Sequence, residues 1–307
     1  MNGWTGTTLW INLSTSTVTR RALDLSWAKK FLGGRGFNSR VLWEELAAGT
    51  DPLGPENILC YAPGMLTGSS LALTGRVSVS TLSPLGRILG DGSGGGEFAW
   101  QLKRAGYDQL VVTGRSPHPC VLSIDDGRVE IRDGRSLWGL DTWETTDHLR
   151  SDLGADTSVA CIGPAGERLV RFASTIIDKY ASAAIGSGAV AGSKNLKAVA
   201  VRGSGTTQLA DPEGFRDLAR SDREIFRNEP FFRDTVSKYG SLIGVEDWGP
   251  GFRNGQKRWT SADVPPALRK DAWKEYEIGH TGCHGCPLRC KNVIQIPNGP
   301  RKGEVGE

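Results

Sequence analysis

Three cysteines stand close together late in the chain: Cys283, Cys286 and Cys290, in the stretch GHTGCHGCPLRCKNV. The spacing is C-x2-C-x3-C, with Pro287 directly after the second cysteine. Thiolates two or three residues apart can converge on one small inorganic core, and Gly282 and Gly285 let the backbone turn tightly around it. Two chemistries suit the pattern. Iron–sulfur clusters are commonly held by four cysteines, several of them local and one distant; the local three are present here and a remote fourth is not evident. Zinc would draw its fourth ligand from His280 or His284 to complete a Cys3His tetrahedron. Zinc sites more usually come as two separated pairs, so a single triplet favours the cluster over zinc, and either over unligated thiols. Cys60, Cys120 and Cys161 are isolated in apolar, strand-like contexts and read as small buried hydrophobes.

Glycine-rich segments form a second group with chemical potential. Gly90-Asp91-Gly92-Ser93-Gly94-Gly95-Gly96 precedes a helix beginning near Glu97. A glycine loop opening a helix exposes N–H groups to an anion, and the helix dipole adds to the attraction. The competing reading is a turn that permits tight helix packing. The segment lacks G-K-[ST] and a strand–GxGxxG–helix unit, so it is neither a Walker A motif nor a dinucleotide fingerprint. Gly186-Ser187-Gly188 is a weaker instance. Arg76, between a turn and a strand, reads either as a solvated arginine or as a phosphate or carboxylate partner, for which its planar fork is suited.

These residues need elements to position them. Short β-branched or aliphatic runs bounded by turn residues predict strands at Thr8–Leu13, Ile58–Ala62, Val77–Thr81, Gln109–Thr113 and Cys120–Ile124. Further strands are predicted at Val129–Arg132, Ser158–Ile162, Val170–Ala173 and Ala198–Val201, with Asp125-Asp126-Gly127 as a hairpin turn. Ser26 caps a helix through Phe31 that stops at Gly33, Asn38–Ala47 and Glu97–Ala105 are helical, and Asp141 with Glu144 opens a helix over Thr142–Leu153. Strands and helices do not alternate strictly, which indicates an α+β fold rather than a doubly wound sheet. Beyond the linker Gly203-Ser204-Gly205-Thr206-Thr207, strand signals become sparse. Pro212 starts a helix carrying Phe215, Leu218, Ile225 and Phe226 on one face. The domains are therefore read as 1–205 and 206–307, the second helical and loop-rich and holding the cysteines.

The chain has 307 residues and a formal net charge of +3, with no long run of like charge and nothing resembling a basic stripe. That argues against nucleic acid as a partner. No apolar stretch reaches the length of a membrane span. The N-terminus lacks a basic segment followed by an apolar run, so a cytoplasmic location is expected; Arg20–Arg21 reads as a charged strand end. The ten tryptophans read as core packing. The chain ends in GPRKGEVGE with no element to pack it down, and is read as the N-terminal part of a longer protein.

Taken together, these segments resemble the N-terminal half of the tungsten-containing aldehyde:ferredoxin oxidoreductase family. The likeness rests on NLST (Asn12–Thr15), FLGGRG (Phe31–Gly36), DPLGPENIL (Asp51–Leu59), PGMLTG (Pro63–Gly68), TGR (Thr74–Arg76) and SPL (Ser83–Leu85). It continues through LKRAGYD (Leu102–Asp108), VEIRD and LWG (Val129–Asp133, Leu137–Gly139), IGPAGE and VRFA (Ile162–Glu167, Val170–Ala173) and GSKNLKAVAV (Gly192–Val201), and ends in the CxxCPxxC core. The resemblance implies an N-terminal domain of two β-sheets with flanking helices, followed by the start of a mostly helical domain. It implies a tungsten (or molybdenum) bis-pterin beside a 4Fe–4S cluster ligated by Cys283, Cys286 and Cys290. Arg76 and Ser93, Gly94, Gly95 and Gly96 would lie against the pterin phosphates. The segment around Ala183 and Ala184 would lie near the magnesium that bridges those phosphates. Where the family usually has Asn-Ser-Gly-Gly, this chain has Ser93-Gly94-Gly95-Gly96; its R-A-A-G-R-G-G pattern corresponds to Ser182–Gly188, without either arginine.

The implied reaction is oxidation of a small aldehyde to a carboxylate, with electrons leaving through ferredoxin or an iron–sulfur electron-transfer subunit. No catalytic side chain is named, because the fourth cluster cysteine and the acid–base residues of the family lie beyond this sequence. A class II benzoyl-CoA reductase-like catalytic subunit uses the same scaffold. A non-catalytic zinc- or pterin-binding fragment is the reading from a different class. Homodimer and hetero-oligomer both stay open.

Overall fold

The protein is described by a computed structural model that covers residues 2–246 and 269–306. The chain divides into two compact units, Met1–Phe215 and Arg216–Glu307.

The first unit contains two six-stranded sheets. Strands β1 (Thr7–Asn12), β2 (Thr17–Ala22), β3 (Leu59–Pro63), β4 (Val77–Leu82), β5 (Leu89–Gly94) and β6 (Gln109–Thr113) make one, in the order β2-β1-β6-β3-β4-β5. The other contains β7 (Cys120–Asp125), β8 (Arg128–Asp133), β9 (Ser158–Cys161), β10 (Thr175–Ile177), β11 (Ala181–Ala183) and β12 (Leu196–Arg202), in the order β11-β10-β9-β12-β7-β8. Both are mixed: β1 runs parallel to β6 and β7 parallel to β12, and the other pairings are antiparallel. The α+β architecture of two sheets with flanking helices therefore stands.

The main core joins the two sheets. Leu9, Ile11, Leu59, Tyr61 and Val79 of the first meet Leu122, Ile124, Ile177, Val199 and Val201 of the second. Helix α1 (Leu25–Phe31) and α2 (Arg35–Glu45) cover the outer side of the first sheet, over Ala62, Ile58, Cys60 and Val111. Between them in sequence and the later helix α4 (Thr142–Leu153) lies α3 (Phe98–Arg104), whose Phe98, Ala99 and Leu102 belong to the main core. Leu149 of α4 joins the cluster on the outer side of the second sheet with Val121, Val159, Cys161, Ala198 and Ala200. Strands covered on both faces need no polar side, which is why LCYAP is buried throughout and LKAVAVR is buried at all but its last residue. Edge strand β2 (TVTRRA), which holds Arg20–Arg21, is largely exposed and charged, a composition that discourages further pairing.

Several local expectations hold. Asp141 accepts from Trp143 and Glu144 N–H at 2.8 Å, and Glu144 returns a carboxylate to Asp141 N–H at 3.0 Å, a reciprocal cap on α4. Asp126 has φ +49° in the turn between β7 and β8. Others are corrected. Asp24, not Ser26, caps α1, its carboxylate accepting from Ser26 and Trp27 N–H. Val170–Ala173 is a turn, closed by Ala173 N–H to Val170 C=O at 2.8 Å; the strand starts at Thr175. Gly90–Gly94, read as part of a glycine loop, belongs to strand β5, which pairs residue for residue with β4.

Two short helices complete this unit, α5 (Pro164–Glu167) and α6 (Ser187–Ser193). Helix α7 (Pro212–Asn228) spans the boundary between units in sequence, with Leu218 and Ile225 exposed. The second unit begins helical and then forms a three-stranded antiparallel sheet of β13 (Glu277–Thr281), β14 (Lys291–Gln295) and β15 (Val305–Gly306). Those strands are short and have little alternation, so the sequence shows few signs of them. No helix among the described residues is long and apolar enough to cross a membrane.

A buried lysine ties the loops of the first unit together. Lys194 Nζ donates to the carbonyls of Pro55 (3.2 Å), Asn57 (2.5 Å) and Gly114 (3.0 Å). Burial, and secondarily the Arg115 charge, push its ammonium down to about 7. Replacing Lys194 by Met orphans three buried carbonyls and is expected to cost on the order of 3 kcal/mol in denaturant unfolding. The folded state releases this proton at lower pH than the unfolded chain, whose lysine titrates near 10.5. It therefore binds fewer protons between about 7 and 10.5, and stability rises with pH across that window. The rise is expected to vanish in Lys194→Met.

Candidate functional site

Strand β5 explains the alternation of its glycines. Gly90, Gly92 and Gly94 lie on one face, two residues apart, and that face meets the edge of the second sheet. A Cβ on Gly92 would come within 2.6 Å of Ala184 N and 2.8 Å of the Ala183 carbonyl carbon. One on Gly90 would meet Ile185, and one on Gly94 would meet Ile177. Glycine here permits close backbone approach between strands of different sheets. The structure thus brings Gly92 and Gly94 beside Ala183–Ala184, segments far apart in the chain, while Gly96 lies against Ile177 and Asp178.

The opposite face of β5 carries Leu89, Asp91 and Ser93. Arg76 Nε donates to Ser93 Oγ at 2.9 Å, and its Nη2 donates to the Ser93 carbonyl. Arg35 Nε donates to Asp91 Oδ2 at 2.7 Å while Arg35 stays largely exposed. Asp91 is held from beneath by a polar chain. Gln109 donates to Asn38 Oδ1 (3.0 Å), Asn38 to Ser80 Oγ (2.9 Å), and Ser80 to Asp91 Oδ1 (2.5 Å). Two arginines therefore stand along one strand face, each oriented by hydrogen bonds. Arg35 is part of FLGGRG, but nothing in the sequence joins it to residue 91.

The head of α3 differs from the anion site that its glycines suggest. The Glu97 N–H is taken by Asp178 Oδ2 at 2.7 Å. Asp178 also accepts from Arg150 Nη2 (2.9 Å), Ser158 Oγ (2.8 Å) and Val159 N–H (3.0 Å), so this buried carboxylate is fully hydrogen-bonded. It supplies the negative charge that the helix start favours.

The three clustered cysteines occupy one loop in the second unit. Strands β13 and β14 form a hairpin in which Thr281 pairs with Lys291, and residues 282–290 are its loop. Gly285 has φ +63°, Arg289 has φ +42°, and a Cβ on Gly282 would approach Arg289 Cα to 3.0 Å where the loop closes. Cys286 N–H donates to Cys283 C=O at 3.0 Å. Burial pushes the Cys286 thiol up, while the N–H groups of Leu288 and Arg289 directed at its sulfur oppose that rise. Among the described residues no group of three His, Cys, Asp or Glu is gathered as a ready metal-binding set. What fits a metal centre is the donor chemistry: three half-exposed thiols on one loop, and peptide N–H groups aimed at a sulfur, which suit a thiolate. His280 is engaged elsewhere, Nε2 with Glu277 Oε1 and Nδ1 with Arg289 O, both at 3.0 Å. Burial alone would raise Glu277, but hydrogen bonds from Lys274 and Asn292 hold its carboxyl below the usual range. The remaining cysteines are buried thiols; burial pushes Cys161 up to about 12 and also raises Cys60 and Cys120.

Residues 8–203 match the family described as aldehyde ferredoxin oxidoreductase, N-terminal domain. The chain belongs to the aldehyde ferredoxin oxidoreductase family. It is 37% identical over 302 residues to the tungsten-containing aldehyde ferredoxin oxidoreductase of Pyrococcus furiosus, covering 97% of this chain and 50% of that protein. It is 30% identical over 338 residues to an aliphatic sulfonate oxidoreductase, WOR-like subunit, of the same organism, covering 100% of this chain and 52% of that one. Among solved structures it resembles the active site complex BamBC of benzoyl coenzyme A reductase bound to 1,5-dienoyl-CoA. The TM-score is 0.84 and the identity 29%, over 97% of this chain and 48% of that one. The chain spans about half the length of the curated relatives it matches.

Within the family match lie Arg76, the β5 glycines and the Ala183–Ala184 edge, all in the first unit. Arg35 with Asp91 on the Ser93 face of β5, and Asp178 beside Gly96, are brought to this strand by contacts that the sequence does not signal. Gly92→Val should force β5 away from β11 and cost about 1–3 kcal/mol, read as a lowered unfolding midpoint. Gly127→Ala, where nothing lies within 4 Å, is the control and should shift stability by under about 0.5 kcal/mol.

Proposed function

We propose that this chain provides the cofactor-binding part of a tungstopterin oxidoreductase that oxidises aldehydes to carboxylates and passes electrons through a 4Fe–4S cluster to ferredoxin. One observation carries the reading. In a chain 37% identical to a tungsten-containing aldehyde ferredoxin oxidoreductase, Arg76 and Ser93 meet on a strand whose other face touches Ala183–Ala184. Bound there, the cofactor would supply a two-electron acceptor and a Lewis acid for the carbonyl, and the cluster would take electrons singly.

The residues of this chain have distinct parts in that scheme. Arg76, already oriented by Ser93, would hold a pterin phosphate with its planar fork. Ser93–Gly96 would line the phosphates with backbone, and the Ala183–Ala184 backbone would lie beside a bridging magnesium. Cys283, Cys286 and Cys290 would be cluster ligands, with the Leu288 and Arg289 N–H groups stabilising sulfur charge. His280 is committed to Glu277 and Arg289, which weighs against its use in a zinc tetrahedron.

A second reading is a catalytic subunit like that of benzoyl-CoA reductase, acting on an aromatic ring. The fold similarity at TM-score 0.84 and 29% identity favours it. Substrate assays separate the two: the native protein, purified anaerobically after growth with tungstate, should reduce a viologen dye with aldehydes and not with dienoyl-CoA.

Arg76→Ala should lower tungsten and pterin content at least tenfold while shifting stability by under about 0.5 kcal/mol, since Arg76 is exposed. Cys286→Ser should lose iron and acid-labile sulfide. Stoichiometric zinc without tungsten or sulfide in the wild-type protein would rule the reading out.

A further inference from the structure

The peptide groups on both sides of Cys290 are gripped from outside the cysteine loop. The Arg289 carbonyl, which precedes Cys290, is bonded to His280 Nδ1 at 3.0 Å. The Cys290 carbonyl, which follows it, accepts from Ser241 N–H at 2.9 Å and from Ser241 Oγ at 3.3 Å. The direction of a Cα–Cβ bond is set by the two peptide planes that flank it. Fixing both carbonyls therefore fixes the Cα–Cβ direction of Cys290 and confines its sulfur to the few staggered rotamers about that bond.

The turn that delivers Ser241 depends on glycine. Gly240 is buried, ends the short helix Ser237–Tyr239, and has φ +57° and ψ −143°. A Cβ there would lie 2.9 Å from the Cys290 carbonyl carbon and still closer to its oxygen and to Asn292 Oδ1. Asn292 is itself buried and donates to Glu277 Oε2 at 2.7 Å, so it has little freedom to yield. Any side chain at 240 must push the Cys290 peptide or lose the turn.

We propose that Gly240 and Ser241 are positioning residues of the thiolate site. Their turn holds the Cys290 peptide and so sets the direction from which the third thiol would reach a metal shared with Cys283 and Cys286. This rests on the metal-centre reading above, and it adds that the helical segment before residue 246 helps set the ligand geometry. Outer-layer contacts of this kind commonly change metal affinity tenfold or more when removed.

The test uses two variants of the full chain. Gly240→Ala places a Cβ against the Cys290 carbonyl. Ser241→Pro removes both donors to the Cys290 carbonyl, the N–H and the Oγ, and lies within the first turn of the short helix Gly240–Leu242, where proline is tolerated. Wild type and both variants are reduced and titrated with Co2+, and thiolate-to-cobalt charge-transfer absorption reports how many sulfurs bind. Far-UV circular dichroism and the unfolding midpoint check that each variant folds. The expected result is a three-thiolate signal in wild type, and in each folded variant a signal reduced by about one third with affinity at least about tenfold weaker. Wild-type intensity and affinity in a folded Ser241→Pro protein would overturn the positioning role while leaving the metal-centre reading intact. Absence of any thiolate–cobalt band in the wild type would overturn both.

Discussion

Close approach of β5 to β11 governs the geometry of the candidate site. Two sheets sharing a core ordinarily keep side chains between them, about 10 Å apart. At this edge three glycines spaced two apart remove the side chains, and the backbone of Ala183–Ala184 comes against Gly92. The contact brings together segments some ninety residues apart. It also turns the other face of β5, with Asp91 and Ser93, toward Arg35 and Arg76. A side chain on the glycine face would separate the edges and displace everything arrayed on the opposite face.

Buried polar groups add hydrogen bonds to the apolar core that joins the two sheets. Lys194 closes three carbonyls of two separate loops, Pro55 and Asn57 in one and Gly114 in the other. Lys197 reaches Glu167 and the Leu140 carbonyl, and Lys103 pairs with Asp108, which also accepts from Thr5 and Gly6 N–H. Each is at most 2% exposed. Such groups are costly to bury and more costly to leave unpartnered, so they specify one arrangement of the loops around them. Asp178 does the same at the start of α3, joining that helix to β9 and to Arg150 of α4.

In the second unit the cysteine loop depends on a similar economy of scale. Nine residues between paired strands hold three thiols, and peptide N–H groups within the loop already point at Cys286. Its stems are secured by the Glu277–His280–Arg289 connections and by the turn at Gly240–Ser241. For these thiols to act together on a metal, neighbours would have to orient them, because the loop alone has too few contacts to do so.

Local patterning was enough for much of the account. The reciprocal cap of α4, the runs that became β3, β6, β7 and β12, and the triplet of cysteines are short-range features whose physics is contained in a few consecutive residues. Motifs spread along the chain carried the family, which match over residues 8–203 then showed. What local patterning missed depends on distant partners. Leu89–Gly94 has too little β-branched character to read as a strand and becomes one because β4 pairs with it. The N–H groups before α3 look ready for an anion until a carboxylate 81 positions away takes one of them. Ser241 gives no sign of serving Cys290, 49 positions off. Hydrogen bonds and close approaches between remote segments exist only once the chain has folded, and no window of neighbouring residues contains them.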